Sequence, residues 1–253
     1  MASSPELFDA LAEKLNVASF EDASNNGLQM ASRKKAIAKV CTGVDATLPF
    51  FREAVRRGAD LVVCHHGISW GDSLKRIDGL NYEIVSFLVE HDLALWACHL
   101  PLDAHPALGN NAQICASLGL SDLKPFGEYH GQTIGFKGEF ASPIPRAAFL
   151  ALVREKISPR VTAHEFGPRE IRTVGVVSGG ASSMLGEALD CGLDAFVDGE
   201  TDLAAYNLCL QRGGNLYAAG HYATERFGVR AVGDWLARRF GIAHEFIDFD
   251  IPL

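Results

Sequence analysis

Apolar runs of strand length alternate with helical patterns along the whole chain, which restricts the fold to mainly parallel sheets covered by helices. IAKVCTGVD reads as a strand, TLPFFREAVRRG as a helix ended by Gly58, DLVVCHH as a strand, LNYEIVSFLVEHD as a helix and LALWACHL as a strand. Asn110 to Leu118 predicts another helix. The alternation continues through QTIGFKGEF, PIPRAAFLALVREKI, IRTVGVVSGG, SSMLGEALDCG, DAFVDGE, LAAYNLCLQRGG and NLYAAGH to a last helix near ATERFGVRAVGDWLARRF. The expected class is α/β. Ser3 or Ser4 with Pro5 opens a first helix whose Leu7, Phe8, Leu11 and Leu15 recur at packing intervals. The stretch KPFGEYHGQ is rich in turn formers and is read as a junction. It separates an N-terminal α/β domain, 1–126, from a second α/β segment, 127–253, whose last part, about 220–253, is expected to pack back on the first domain.

A chain of 253 residues with 48% hydrophobic content can bury a substantial core. No apolar stretch approaches the roughly 20 residues that span a bilayer, and the acidic, amphipathic Met1–Asn16 is unlike a secretory signal. A cytoplasmic protein without a membrane partner is expected. The net charge of −8 and the short basic clusters Arg33-Lys34-Lys35 and Arg238-Arg239 do not support nucleic-acid binding, yet leave room for a small nucleotide substrate. Six cysteines are scattered without a CxxC pair, the pattern of buried reduced thiols. Cys64 and Cys98 each precede a histidine and, on a strand, face away from it.

The densest chemistry lies where strands end, which is where open α/β sheets place ligands. His65 and His66 close the run DLVVCHH; adjacent strand residues point to opposite faces, so the pair serves one metal only across a broken strand, or else two metals side by side. His99 follows LALWA, and Asp103 lies four positions on, past Pro101. Taken alone, Asp103 reads as a turn or capping residue. His221 and Glu225 share one face of a helical turn at i, i+4, a spacing that by itself describes a surface pair. Histidines and carboxylates of this kind suit zinc, manganese or iron.

The segments NNGLQ (Asn25 to Gln29), HHGISW, HLPLDAHPALGNNAQ, DAFVDGE and YAAGHYATERFGVRA, in this order, resemble the Nif-three-like dinuclear metal centre proteins. The bacterial YbgI branch, labelled GTP cyclohydrolase 1 type 2, is the nearest likeness, in its short form without an inserted domain. The resemblance implies a toroidal homohexamer of subunits with two interlinked α/β domains and a two-metal site between them. By motif, His66 and Asp103 map to one metal, His65 and His221 to the other, and Glu225 to both. His99 maps near the site as an outer residue or proton shuttle.

Two divalent ions, whether zinc, manganese, iron or magnesium, would acidify a water toward neutral pKa, so hydrolysis is the natural reaction. With a GTP-like substrate, hydroxide would add at C8 of the purine and open the imidazole ring, with His99 moving protons. The turn Gly179-Gly180 with Ser182 and Ser183 is weighed as a phosphate cradle against an ordinary β-to-α turn, and the ordinary turn is favoured. A broader hydrolase of phosphoesters or amides, and a non-enzymatic metal-binding, metal-delivery or cofactor-assembly protein, are the competing readings.

Overall fold

The computed structural model describes residues 2–253, and the chain divides into two compact units, Met1–Leu102 with Gly228–Phe249 and Asp103–Phe227 with Asp250–Leu253. The elements up to the first division are β1 (Ala2–Ser3), α1 (Ser4–Lys14), β2 (Gly27–Met30), β3 (Ala36–Ile37), β4 (Lys39–Asp45), α2 (Leu48–Arg56), β5 (Leu61–His66), α3 (Gly79–Glu90) and β6 (Ala94–Ala97). A single turn, α4 (Leu100–Asp103), follows, then α5 (Asn110–Leu118), β7 (Ser121–Tyr129), β8 (Gln132–Pro145), α6 (Arg146–Lys156), β9 (Thr162–Glu165) and β10 (Glu170–Val176). The remainder is α7 (Leu185–Asp190), β11 (Ala195–Asp198), α8 (Leu203–Arg212), β12 (Asn215–Ala218), α9 (His221–Phe240) and β13 (Ala243–Phe246).

The first unit is built on a sheet ordered β13-β4-β5-β6-β2, parallel except for β2 against β6. Its strands β5 and β6 are apolar almost throughout because helices and loops cover both faces. Phe50, Phe51 and Ala54 of α2 pack with Cys41, Val62, Cys64, Leu88 and Leu95 to form the core under that sheet. Helix α2 starts where the sequence places it: Thr47 caps it, its hydroxyl accepting from the Phe50 N–H, and Pro49 occupies the first turn. Gly43 of β4 admits α2 to this distance, since a β-carbon there would lie 2.4 Å from the Phe50 ring.

The second unit carries a six-stranded sheet ordered β7-β8-β10-β11-β12-β9, parallel only along β10-β11-β12. Its core gathers Ile114, Phe136, Phe149, Val174, Val197 and Tyr217. The stretch KPFGEYHGQ is not a junction but the inner part of the β7–β8 hairpin. Its turn formers serve the hairpin itself: His130 and Gly131 have φ of 50° and 79° between the paired Tyr129 and Gln132, the two left-handed residues that a tight hairpin needs. Composition alone does not distinguish such a turn from a linker. Among the described residues no helix is long and apolar enough to cross a membrane.

Candidate metal centre

In the first unit three histidines gather at the C-terminal ends of β5 and β6. The β5–β6 ladder stops at Cys64 opposite Ala97, whereas β4 still pairs Asp45 with His66. There the two adjacent imidazoles, expected on opposite faces, come to 4.8 Å between ring centroids. His99 lies 5.1 Å from the His65 ring and 5.6 Å from that of His66. One ligand atom of each of these three lies within 4.8 Å of the others, close enough for a metal ion to be held.

Each ring has its Nδ1 occupied. His65 donates from Nδ1 to the Cys98 carbonyl at 3.0 Å, His66 meets the Asp45 carboxylate at 2.8 Å, and His99 meets the Asp22 carboxylate at 3.0 Å. Carbonyl and carboxylate oxygens accept, so Nδ1 carries a proton, and in the neutral ring the lone pair is then on Nε2. Metal-ligating histidines have this arrangement, with the far nitrogen held by an oxygen that fixes tautomer and ring orientation. Asp22 is buried; desolvation pushes its carboxyl up, but hydrogen bonds from His99 and Asn26 outweigh that and bring it down to about 2.

The loop after His66 is pinned by Gln29. Its Oε1 accepts the Ile68 and Ser69 N–H groups at 2.7 and 3.0 Å, and its amide donates to the Asn25 carbonyl at 2.8 Å. Gly67 gives it room, because a β-carbon there would overlap the Gln29 amide. Trp70 is fastened by Nε1–H to the Gly67 carbonyl and sets its ring 5.0 Å from that of His99, edge to face.

In the second unit Asp103 closes the single turn α4, and His221 and Glu225 lie at the start of α9. Asp103 is 5% exposed and is neither a turn nor a capping residue: its Oδ1 accepts from Asn110 Nδ2 at 2.8 Å and from Ser178 Oγ at 2.9 Å. Asn111 in turn accepts the Ser178 N–H at 2.6 Å, so GNN at the start of α5 ties Asp103 to the end of β10. His221 and Glu225 begin α9 with Nε2 and Oε1 3.1 Å apart, and Glu225 is buried rather than on the surface. Glu200 meets the other His221 nitrogen, Nδ1, at 2.6 Å. The Glu225 hydrogen bond, against burial and with Glu200 adding to it, raises the imidazole to about 9. Two carboxylates on one ring thus stabilise positive charge where a cation would sit.

Gly179 faces the same spot. With φ of +75° it presents no side chain, and a β-carbon would lie 2.6 Å from Glu225 Oε1 and 3.3 Å from His221 Nε2. Any other residue would fill the space beside these two side chains. The Gly179-Gly180 turn is an ordinary β-to-α turn and does not suit phosphate: Gly179 N–H donates to Thr224 Oγ1, Ala181 N–H to Asp198, and the Glu200 carboxylate flanks Gly180. The helix after it, α7, is only six residues long.

The sequence points to His65, His66, His99, Asp103, His221 and Glu225, and does not point to the residues that hold them. Asp22, Asp45, Gln29, Ser178 and Glu200 are ordinary polar residues in sequence; only the pairing of each with a histidine, a loop or a carboxylate reveals them. The segments NNGLQ and DAFVDGE contain two of them. Cys64 and Cys98 are buried thiols, and complete burial pushes the Cys64 thiol far up, out of the range of a metal-binding thiolate at neutral pH.

The family model for Duf34/NIF3 (NGG1p interacting factor 3) matches residues 3–251. The chain belongs to the DUF34/NIF3 family. Within it, the chain is 38% identical over 248 residues to a Deinococcus radiodurans protein named GTP cyclohydrolase 1 type 2 homolog, covering 98% of this chain and 94% of that one. Among solved structures it is similar to protein ybgI, described as of unknown function, with TM-score 0.92 and 35% identity over 99% of this chain and all (100%) of the other. A Thermus thermophilus protein matches with TM-score 0.88 and 32% identity, again covering 99% of this chain and 100% of the other. DUF34/NIF3 structures therefore share the mixed α/β fold, and the histidine and glutamate groups of this chain are able to hold metal.

Proposed function

We propose that this DUF34/NIF3 protein is a divalent-metal-dependent hydrolase for which His65 and His66 of the first unit and Asp103, His221 and Glu225 of the second would serve as ligands to two ions. One observation carries the reading. His65, His66 and His221 each have Nδ1 engaged by an oxygen, of the Cys98 carbonyl, the Asp45 carboxylate and the Glu200 carboxylate in that order, the arrangement typical of metal-ligating histidines that bind through Nε2. The donor set of imidazole and carboxylate accepts zinc, manganese, iron or magnesium. Bound there, the ions would supply an acidified water as nucleophile.

This chain's residues do the rest. Glu200 and Asp45 orient the ligand rings, Asn110 and Ser178 orient Asp103, Gly179 keeps the approach open, and His99 carries protons. The relatives' name, GTP cyclohydrolase 1 type 2 homolog, supports GTP as substrate; hydroxide addition at C8, ring opening and release of formate are the steps proposed for it. Assembly as a homohexamer and a cytoplasmic location are proposed on the family resemblance.

The test is elemental analysis of protein purified without chelator, followed by incubation with GTP after loading with manganese, zinc or iron and measurement of formate. Metal-dependent formate supports the cyclohydrolase reading. Turnover of phosphoesters or amides but not GTP would move it to the broader hydrolase. Metal uptake without turnover of any of them overturns the enzyme and leaves the metal-delivery role. Light scattering that gives a monomer would remove the hexamer.

A further inference from the structure

Asp22, beside the histidine cluster, has both carboxylate oxygens engaged, and it is not among the proposed ligands. Its side chain is 2% exposed. Oδ1 accepts the Ser24 N–H at 3.0 Å and faces His99 Nδ1 at 3.0 Å. Oδ2 accepts Asn26 Nδ2 at 2.9 Å and the Leu100 N–H at 3.0 Å. Asn26 completes a clamp, its Oδ1 accepting the His99 N–H at 2.8 Å. Ring and backbone of His99 are therefore gripped from one segment, Asp22 to Asn26, more than seventy residues earlier in the chain.

A carboxylate surrounded by donors has one consequence for the ring it faces. It accepts and cannot donate, so the His99 proton is confined to Nδ1 and the basic lone pair to Nε2. The His65 and His66 rings lie beside it, at 5.1 and 5.6 Å. Trp70 at 5.0 Å closes another side. A histidine that receives a proton from a reacting water needs this tautomer; one held with its proton on Nε2 would present a donor where an acceptor is required.

We propose that Asp22 is a positioning residue: it holds His99 as the Nδ1-protonated tautomer with Nε2 bare toward the His65–His66 pair, the state in which His99 accepts a proton. The catalytic half of this statement rests on the hydrolase reading above, whereas the tautomer does not. Asn26 is the second member of the clamp, fixing the His99 backbone while Asp22 fixes the ring.

The experiment uses full-length, zinc-loaded protein labelled with 15N in histidine, with long-range 1H–15N correlation spectra that distinguish the two ring nitrogens. The wild-type His99 signals are expected to show Nδ1–H with an unprotonated Nε2. Asp22→Asn places an amide donor against Nδ1 and is expected to move the proton to Nε2. If the reading of hydrolysis holds, the same variant loses kcat by at least about 100-fold with KM and zinc content unchanged. Wild-type His99 protonated on Nε2, or an Asp22→Asn spectrum like the wild type, overturns the proposal. Should Asp22→Asn not fold, the wild-type spectrum alone decides it. Absence of turnover in the wild type would sink the hydrolase reading and leave the tautomer result standing, so the two failures are told apart.

Discussion

Gly179 stands so close to Glu225 that a methyl group on its Cα would lie 2.6 Å from the carboxylate Oε1. A glycine is required here twice over, by its φ of +75° and by the space it leaves. Gly179→Ala is expected to cost about 1–2 kcal/mol from the left-handed backbone and to weaken metal uptake at least about tenfold by crowding a ligand. Calorimetric unfolding and competition with a chromophoric chelator would measure the two effects; unchanged metal affinity would remove Glu225 from the ligand set.

Glu200 would act on a bound metal through His221, whose Nδ1 it meets at 2.6 Å. Glu200→Gln keeps the shape but takes away the charge on Nδ1, 2.6 Å distant, and is expected to lower metal affinity about 10- to 100-fold. Equilibrium dialysis against zinc checks it. A variant that binds as tightly as the wild type would make the Glu200–His221 contact incidental.

Gln29 holds the loop behind His66 by accepting two N–H groups, and truncation strands both donors. Gln29→Ala is expected to destabilise by about 1–3 kcal/mol, read as a lower urea midpoint at constant slope.

Asp198 supplies a pH dependence with a definite sign. Its Oδ1 accepts three N–H groups, from Ala181, Gly199 and Glu200, but burial outweighs them and raises the carboxyl from 3.8 to about 7. The folded state then binds the proton more tightly than the unfolded chain. Its stabilising effect is complete below pH 3.8 and is lost as pH rises toward 7. Relative to Asp198→Asn, the wild type should lose on the order of 4 kcal/mol at most across that window. Urea titrations of both proteins at pH 5 and pH 8 would show it; parallel curves would mean the carboxyl titrates normally.

Much of the strand and helix order was legible because apolar periodicity depends on neighbours a few residues apart. Helix α5 falls on Asn110–Leu118 as expected, and Thr47 with Pro49 marks the start of α2. The β7–β8 hairpin was not legible, since Gly127, His130 and Gly131 have the composition of a linker and only strand pairing makes them a turn. β9 was missed for a similar reason: its four residues, TAHE, carry no apolar alternation and are a strand because β12 lies beside them. The six candidate residues could be named because imidazoles and carboxylates close to strand ends are rare in an apolar context. Their partners could not, because Asp22 and His99, or Glu200 and His221, are joined by folding alone.

The oxygens on the Nδ1 atoms of His65, His66 and His99 also bear on speed. Rings already locked by Cys98, Asp45 and Asp22 have surrendered their rotational freedom while the chain folds, before any cation arrives. Capture of an ion would then require little rearrangement of these side chains, and its rate would be set by shedding of the ion's own hydration shell rather than by the motion of these rings.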